Sequence, residues 1–149
     1  VWQPTEPDPT GLASIEAWRV EAGLLNVEPA IALDVSAPDW PLPAIRCDAI
    51  FNANLIHIAP WSVATGLLEG AGRIMQAGGL LFLYGPFKVD GAHTSPSNAA
   101  FDESLKRRDP RYGIRDLEEV LEVAARNDLV WQETNDLPAN NKLIVFRRA

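Results

Sequence analysis

The sequence has a single cysteine, Cys47, among its 149 residues. An intrachain disulfide is therefore excluded, and a zinc site built from paired cysteines is excluded too. A lone thiol is typical of proteins in reducing compartments, and we expect a cytoplasmic location.

Long apolar runs are also absent. The most apolar stretch, residues 78–87, is interrupted by glycine and proline. It is much shorter than the roughly 18 consecutive apolar residues of a membrane span. The sequence therefore predicts no membrane partner.

Basic residues are scarce relative to acidic ones, with 13 against 20 and a formal net charge of -7. Such a field repels a phosphate backbone, so no nucleic-acid partner is expected. The one basic cluster, residues 106–108, falls late in a predicted helix, where positive charge complements the helix dipole. We interpret that cluster as a solvated helix end.

Several catalytic motifs are missing as well. The sequence contains no G-x-S-x-G, no H-E-x-x-H and no G-x-x-x-x-G-K-[ST]. The first marks a serine hydrolase, the second a zinc protease and the third a nucleotide-binding P-loop. These three classes therefore lose their usual support.

What the sequence does contain is an alternation of strand and helix patterns, with 47% apolar residues, enough for a continuous core. Strands are predicted at 1–3, 27–33, 48–58, 80–84, 129–137 and 143–147. Helices are predicted at 10–22, 61–75 and 115–127, with a short helix capped by Ser97. Strands separated by helices pair in parallel, whereas the short turn at 138–141 joins antiparallel strands. We therefore expect one α/β domain over residues 1–149 with a mixed sheet that ends in a hairpin.

Ligands of such sheets bind at the carboxyl ends of the strands. Glu6 and Asp34 follow the first two predicted strands. A carboxylate at Glu6 can accept hydrogen bonds from ribose hydroxyls, and Asp34 can accept from an adenine amine while the Val35 N–H donates to the ring. A plain loop acid at Glu6 and an Asx turn at Asp34 are equally good interpretations.

The third strand ends in polar residues. Asn52 and Asn54 lie two apart in an extended run, which predicts that they share one face of the strand. His57 exchanges protons near neutrality at its ordinary pKa of ~6.5, which makes it a catalytic candidate. A purely structural histidine is the favoured alternative, because no carboxylate lies nearby in sequence.

Polar residues also surround the loop after the next strand. Tyr84, Lys88 and His93 are candidates to orient a substrate, although solvated loop residues are the alternative. Glycine and proline interrupt residues 85–110, and we expect this segment to be an insertion that covers the substrate.

Several runs together resemble a little-characterised, mostly bacterial family of class I S-adenosylmethionine-dependent methyltransferases, whose animal relative is methyltransferase-like twenty-six. These runs are Trp2-Gln3-Pro4, Leu33-Asp34-Val35, Asn54 to Trp61, Gly79 to Phe87, Ser95 to Asp102 and Pro138 to Asn141. The resemblance covers nearly the whole chain.

The resemblance implies a Rossmann-like three-layer sandwich and S-adenosyl-L-methionine as cofactor. By resemblance, Glu6 matches the ribose-binding position and Asp34 the position near adenine, with Val35 beside it, while Asn52 and Ala53 lie beside the methionine moiety. We expect Asn54, His93 and Asn98 at the substrate, and His57 or Tyr84 as proton acceptor.

One departure accompanies this resemblance. Such enzymes carry a glycine-rich turn after their first strand, in this family similar to G-S-G-T-G-Q-H, and the sequence begins after it. Since that turn lets the backbone approach the ligand closely, we expect a partial domain without the first strand and loop, which binds cofactor weakly by itself.

The expected function is transfer of the activated methyl group to a small-molecule acceptor. Two alternatives stay open: a non-catalytic binding or interaction module that keeps the fold, and a nicotinamide-dependent oxidoreductase with a related sheet. The sequence leaves the oligomeric state open.

Overall fold

The computed structural model describes residues 1–42 and 47–149. Contacts between residues divide the chain into two compact units, one within Val1–Ile45 and one within Arg46–Ala149. The prediction of one domain over residues 1–149 stays a prediction, and each unit is described by itself.

The first unit consists of one helix and two short parallel strands, β1 (Thr5–Glu6), α1 (Pro9–Ala22) and β2 (Ile31–Ala32). Asp8 caps α1, because its side chain accepts hydrogen bonds from the backbone N–H groups of Thr10 and Gly11. Gly23 ends the helix in the left-handed conformation, with φ of 60°. The helix predicted at 10–22 is therefore confirmed, with its first residue at Pro9.

The strand predicted at 1–3 is only partly correct. Trp2 forms an isolated parallel bridge with Val27, but regular pairing begins at Thr5 and Glu6, which pair with Ile31 and Ala32. The prolines at positions 4 and 29 lack an N–H group, which explains why the ladder is interrupted between these pairs. Glu6 and Asp34 consequently follow neighbouring parallel strands at the same edge.

The second unit is built on a four-stranded mixed sheet. Its regular elements are β3 (Cys47–Ala53), α2 (Trp61–Ile74), β4 (Met75–Gly85), β5 (Lys88–Val89), β6 (Ala92–His93), α3 (Pro96–Arg108), α4 (Leu117–Arg126), β7 (Leu129–Leu137) and β8 (Asn141–Arg148). The strand order is β3-β4-β8-β7, with β3 parallel to β4 and the other two pairs antiparallel. The predicted mixed sheet with a terminal hairpin is confirmed.

The core of this unit lies between the sheet and helices α2 and α4. Alternate residues of the central strands are buried, among them Leu81 and Leu83 of β4 and Phe146 of β8. Leu68 of α2 and Val120 of α4 are buried as well. Packing in this apolar layer fixes the positions of the carboxyl ends of β3 and β4. The loops that follow these two strands begin there.

Three predicted boundaries are wrong. The strand predicted at 80–84 begins earlier, at Met75, so the glycine pair at 78–79 lies inside β4, where Gly78 adopts a φ of 82° at an irregularity in the pairing with β3. Strand β3 ends at Ala53 because Asn54 is left-handed, with φ of 61°. Helix α3 is capped by Ser95 rather than Ser97, since Pro96 occupies the first helical position.

Strand β3 is not fully buried within this unit. Strand β3 pairs only with β4 among the described residues, so it is an edge strand of this sheet. Phe51 on β3 is 49% exposed. An edge strand has a neighbour on one side only, which leaves part of its apolar surface uncovered.

Residues 85–110 hold the hairpin β5–β6 and the predicted helix, α3, and their role in covering a substrate stays a prediction. The hairpin turns at Asp90 and Gly91, both with positive φ. Across residues 1–42 and 47–149, none of the helices has the length and apolar character needed to cross a membrane.

Candidate functional site

Glu6 lies at the carboxyl end of β1, and its carboxylate is held in place by its own loop. Its Oε1 accepts a hydrogen bond of 3.0 Å from the backbone N–H of Asp8. A Cβ atom on Gly11 of α1 would lie 2.6 Å from the Glu6 Cγ, so the side chain fills the space that this glycine leaves. The second carboxylate oxygen has no protein partner among the described residues.

Asp34 follows β2 and forms the Asx turn that was one of its two interpretations. Its Oδ1 accepts from the backbone N–H of Ser36 at 2.9 Å and from the Ser36 hydroxyl at 2.6 Å. These hydrogen bonds lower the pKa of Asp34. The adjacent Val35 is buried, and its N–H has no hydrogen-bond partner within the described part of the chain. The turn leaves the Asp34 Oδ2 and this N–H available to a ligand.

The end of β3 separates the two asparagines that were predicted to share one face. Asn52 and Ala53 lie within the strand opposite Leu83 and Tyr84 of β4, whereas Asn54 lies beyond it in a left-handed conformation. The alternation of side chains therefore ends before Asn54. The Asn54 carbonyl instead accepts the N–H of His57 at 3.0 Å, which begins a tight turn.

His57 is fully buried, with 0% exposure. Its Nδ1 accepts the backbone N–H of Arg115 at 3.3 Å, while its Nε2 has no hydrogen-bond partner in residues 1–42 and 47–149. A Cβ atom on Gly85 would lie 2.7 Å from that Nε2 and 3.0 Å from Asn54 Oδ1, so the three residues meet at one point. Burial, followed by the charge of Arg115, lowers the pKa of His57 to about 3. Proton exchange near neutrality, on which its catalytic candidacy rested, is not available to this group.

Tyr84 and Asn98 are both tied to the terminal hairpin. The Tyr84 hydroxyl accepts a hydrogen bond of 3.0 Å from Asn141 Nδ2. Asn98, which is 5% exposed, donates from Nδ2 to the Thr94 hydroxyl at 3.1 Å and to the carbonyl of Asn140 at 3.0 Å. Both amide hydrogens of Asn98 are thus used within the protein, which joins α3 to the hairpin turn.

Asp102 on α3 is a residue that sequence reasoning missed. It is 3% exposed, and its oxygens accept from the N–H of Ile114 at 2.7 Å and from Lys106 Nζ at 2.6 Å. His93 Nε2 lies 3.3 Å from Asp102 Oδ2. Burial acts to raise the pKa of Asp102, but these hydrogen bonds outweigh it and the pKa is lowered. The i,i+4 spacing to Lys106 was the only available signal, and it is equally typical of an exposed helix pair.

Arg115 is the second residue that sequence reasoning missed. Its guanidinium donates to the carbonyls of Ile56, Ala59 and Arg111, at 2.8, 2.6 and 2.9 Å. It also lies 5.5 Å from the ring centroid of Trp61. Arg115 therefore links the turn after β3 to the segment before α4. No local sequence pattern predicts such hydrogen bonds to backbone carbonyls.

The predicted site residues fall into separate groups. Glu6, Asp34 and Val35 lie in the first unit at one strand edge, whereas the other candidates lie in the second unit. There, Asn54 and His57 meet at Gly85, His93 contacts Asp102, and Asn98 contacts Asn140. The roles assigned to these residues stay predictions.

Solved structures with the same fold include O-methyltransferase family proteins. An O-methyltransferase family 2 protein from Planctomyces limnophilus, in complex with apigenin, matches 99% of this chain with a TM-score of 0.79 and 20% identity. The pyocyanin biosynthetic protein PhzM matches 99% with a TM-score of 0.74 and 18% identity. LepI in complex with SAM matches 99% with a TM-score of 0.74 and 16% identity. The chain spans only 42%, 42% and 36% of these three proteins respectively.

This likeness defines the class of fold: a mixed α/β, Rossmann-like fold of the class I methyltransferase type, as the sequence predicted. Within that class, the chain belongs to the family described as "Protein of unknown function (DUF938)", which it matches over residues 1–148.

Proposed function

We propose that this chain is part of an S-adenosyl-L-methionine-dependent methyltransferase that acts on a small-molecule acceptor. The observation that carries the proposal is the match of 99% of the chain to an O-methyltransferase family protein with a TM-score of 0.79. Another match, LepI, is in complex with SAM. Because one fold hosts many reactions, the site residues must also suit the cofactor.

The strand-end residues of the first unit suit S-adenosyl-L-methionine. The Glu6 carboxylate is oriented by the N–H of Asp8 and keeps one oxygen for a ribose diol. Asp34 is oriented by Ser36 and keeps one oxygen for the adenine amine, while the Val35 N–H is available to a ring nitrogen. We assign the methionine moiety to the backbone at Asn52 and Ala53.

The bound cofactor would supply a methyl group activated on a sulfonium sulfur. The protein's contribution is to hold the acceptor in line with that methyl and to exclude water. We assign proton acceptance to Tyr84, whose hydroxyl is oriented by Asn141. His57 stays neutral because of its lowered pKa, and we assign it a positioning role beside Asn54, with His93 and Asn98 on the acceptor side.

Calorimetric titration of the intact protein with S-adenosyl-L-methionine tests this proposal. We expect saturable binding, and we expect Asp34→Asn to weaken it by roughly tenfold, the loss of one charge-assisted hydrogen bond. Asp39→Asn is the matched control, since Asp39 is an exposed acid of the same unit. An intact protein that shows no binding heat and no competition by S-adenosylhomocysteine would refute the proposal.

The second candidate is a module that keeps this fold and binds ligands without methyl transfer. In this alternative the module is non-catalytic. The fold alone does not require methyl transfer, since another match is described as "A Pericyclic Reaction enzyme", with a TM-score of 0.74 and 16% identity. Incubation of the intact protein with methyl-labelled cofactor and a small-molecule extract distinguishes the two. Labelled product supports the methyltransferase, whereas binding without any labelled product supports the module. A cytoplasmic location is part of the same proposal.

A further inference from the structure

Three basic side chains converge on one buried carboxylate in the second unit. Lys106 Nζ, His93 Nε2 and Lys88 Nζ lie 2.6, 3.3 and 4.0 Å from Asp102 Oδ2. The other oxygen, Oδ1, accepts the N–H of Ile114 at 2.7 Å. A single carboxylate thus faces more positive charge than it neutralises.

Two members of this group form no side-chain hydrogen bond among the described residues: His93, whose Nδ1 is buried without a partner, and Lys88. The Lys88 Nζ is attracted to Asp102, but 4.0 Å exceeds hydrogen-bond distance, and no other acceptor for this ammonium occurs among the described residues. The Lys88 side chain is only 23% exposed. Burying an ammonium group without a hydrogen-bond acceptor costs free energy. An acceptor oxygen supplied by a ligand removes that cost.

A cleft of about 310 Å³ opens beside Lys88. Lys106, Gly113 and Arg115 line it together with Lys88. This volume lies at the lower end of the range for small-molecule sites. The Arg115 guanidinium adds positive charge to the wall while its N–H groups are held by backbone carbonyls. Arg111 also lines the cleft and is paired with Asp109. Lys88 is the lining cation whose side-chain nitrogen has no hydrogen-bond acceptor among the described residues.

The charges around the cleft favour an anion with a single negative charge. Lys106 is already paired with Asp102. Asp116 and Glu119 also line the cleft, and their carboxylates repel a dianion such as a phosphate monoester. Arg111 is likewise paired with Asp109. The charges of Lys88 and Arg115 then oppose those of the two acids, and this balance suits a carboxylate better than a phosphate.

We propose that this cleft binds the carboxylate of a small organic acid, with Lys88 as its principal hydrogen-bond donor. The inference rests on the proposed function in one respect: the bound acid is then the methyl acceptor, held beneath the hairpin β5–β6. Carboxylate binding itself does not depend on that function.

Titration of the ¹⁵N-labelled chain with benzoate tests the site, with the neutral isostere benzamide as control ligand. We expect benzoate to shift the backbone amide signals of Lys88, Gly91, Gly113 and Ile114 saturably, with a Kd of roughly 1–10 mM, typical of a fragment held by one charged contact. We expect benzamide to leave them unchanged. Benzoate shifts that are absent, or located elsewhere, would overturn the proposal.

Variants then test the assigned donor. Lys88→Met should weaken benzoate binding at least about tenfold, whereas Lys88→Arg should retain it within roughly threefold. Lys142→Met is the matched control, because it removes the same charge from a lysine paired with Asp136 on the terminal hairpin. Equal affinity of Lys88→Met and wild type overturns the assignment. If Lys88→Met does not fold, the shifts in the wild-type chain still decide whether the site exists.

The outcomes separate this inference from the proposed function. Cofactor binding by the intact protein, combined with no benzoate shifts, overturns the cleft and leaves the methyltransferase proposal standing. Benzoate shifts combined with no cofactor binding confirm the cleft and overturn its assignment to a methyl acceptor.

Discussion

The backbone N–H of Arg115 donates to Nδ1 of His57 across 3.3 Å, joining residues 58 positions apart in the chain. This bond requires a lone pair on Nδ1, so the neutral imidazole carries its proton on Nε2. That nitrogen is buried and has no hydrogen-bond partner in the part of the chain that the structure describes. Protonating His57 would place a charge in an apolar site that already faces the Arg115 guanidinium.

We predict that His57 stays neutral well below its ordinary pKa and makes folding stability depend on pH. Its folded pKa is lowered to about 3, so the unfolded chain takes up a proton first. The stabilisation is complete above about pH 6.5 and is lost as pH falls toward 3, at up to about 1.4 kcal/mol per pH unit. Urea unfolding between pH 4.5 and 7 measures this slope.

His57→Asn is the control variant, because its side-chain oxygen replaces Nδ1 as the acceptor from Arg115. We expect the free energy of unfolding of this variant to depend less steeply on pH. The difference from wild type corresponds to the one proton that His57 takes up on unfolding. Imidazole signals of the wild-type protein should show no titration of His57 between pH 8 and 4.5. A midpoint near 6.5 in that experiment would contradict the burial described above.

We predict that Asp102→Asn destabilises the second unit by about 2–4 kcal/mol, since a buried charge partner of two lysines is removed. The measurement is the free energy of unfolding in urea at pH 7. Because the pKa of Asp102 lies below its ordinary value of 3.8, the wild-type advantage is present above that value and declines at lower pH. Glu103→Gln, at a neighbouring and 75% exposed side chain, should change stability by less than about 0.5 kcal/mol. Equal losses in both variants would contradict the role of burial.

Much of the fold follows from local sequence signals. Asp8 and Gly23 bound α1, and the turn after Leu137 gives the terminal hairpin, because capping and turn chemistry act over a few residues. The glycine pair at 78–79 misleads for the same reason: glycine signals a helix end, yet here it allows an irregular turn within β4. Whether such a glycine pair ends a helix or lies within a strand depends here on the pairing of β4 with β3. That pairing joins residues that are distant in the sequence.

The candidate site was less predictable than the fold. Glu6 and Asp34 are recognisable because strand ends are a general location for ligands. The low pKa of His57 depends on burial and on Arg115, which is distant in sequence. The cluster around Asp102 depends on the hairpin β5–β6 packing on α3. Tertiary contacts of this kind leave no periodic pattern in the sequence.

We predict that Asn98→Asp destabilises the protein by about 2–3 kcal/mol. The substitution removes both hydrogen-bond donors of the 5% exposed Asn98 amide and sets a carboxylate against the carbonyl of Asn140. Thermal unfolding measures the loss. Gln132→Glu makes the same chemical change at an exposed position of β7 and should shift stability by less than about 0.5 kcal/mol. An Asn98→Asp protein with unchanged thermal stability would contradict a stabilising link between α3 and the terminal hairpin.

The contact between Gly11 and Glu6 predicts a substitution that lowers cofactor affinity without lowering stability. Alanine at position 11 places a Cβ 2.6 Å from the Glu6 Cγ, so the Glu6 carboxylate must move, while the helix itself gains up to about 1 kcal/mol from replacing glycine. In the intact protein we therefore expect Gly11→Ala to retain or raise the melting temperature and to weaken S-adenosyl-L-methionine binding by roughly tenfold, as Glu6→Gln should. Ser14→Ala improves the propensity of the same helix at an exposed position and should leave affinity unchanged. Equal cofactor affinity of Gly11→Ala and Ser14→Ala would contradict the assignment of Glu6 to the ribose. Displacing the Glu6 carboxylate would then have had no effect on cofactor binding.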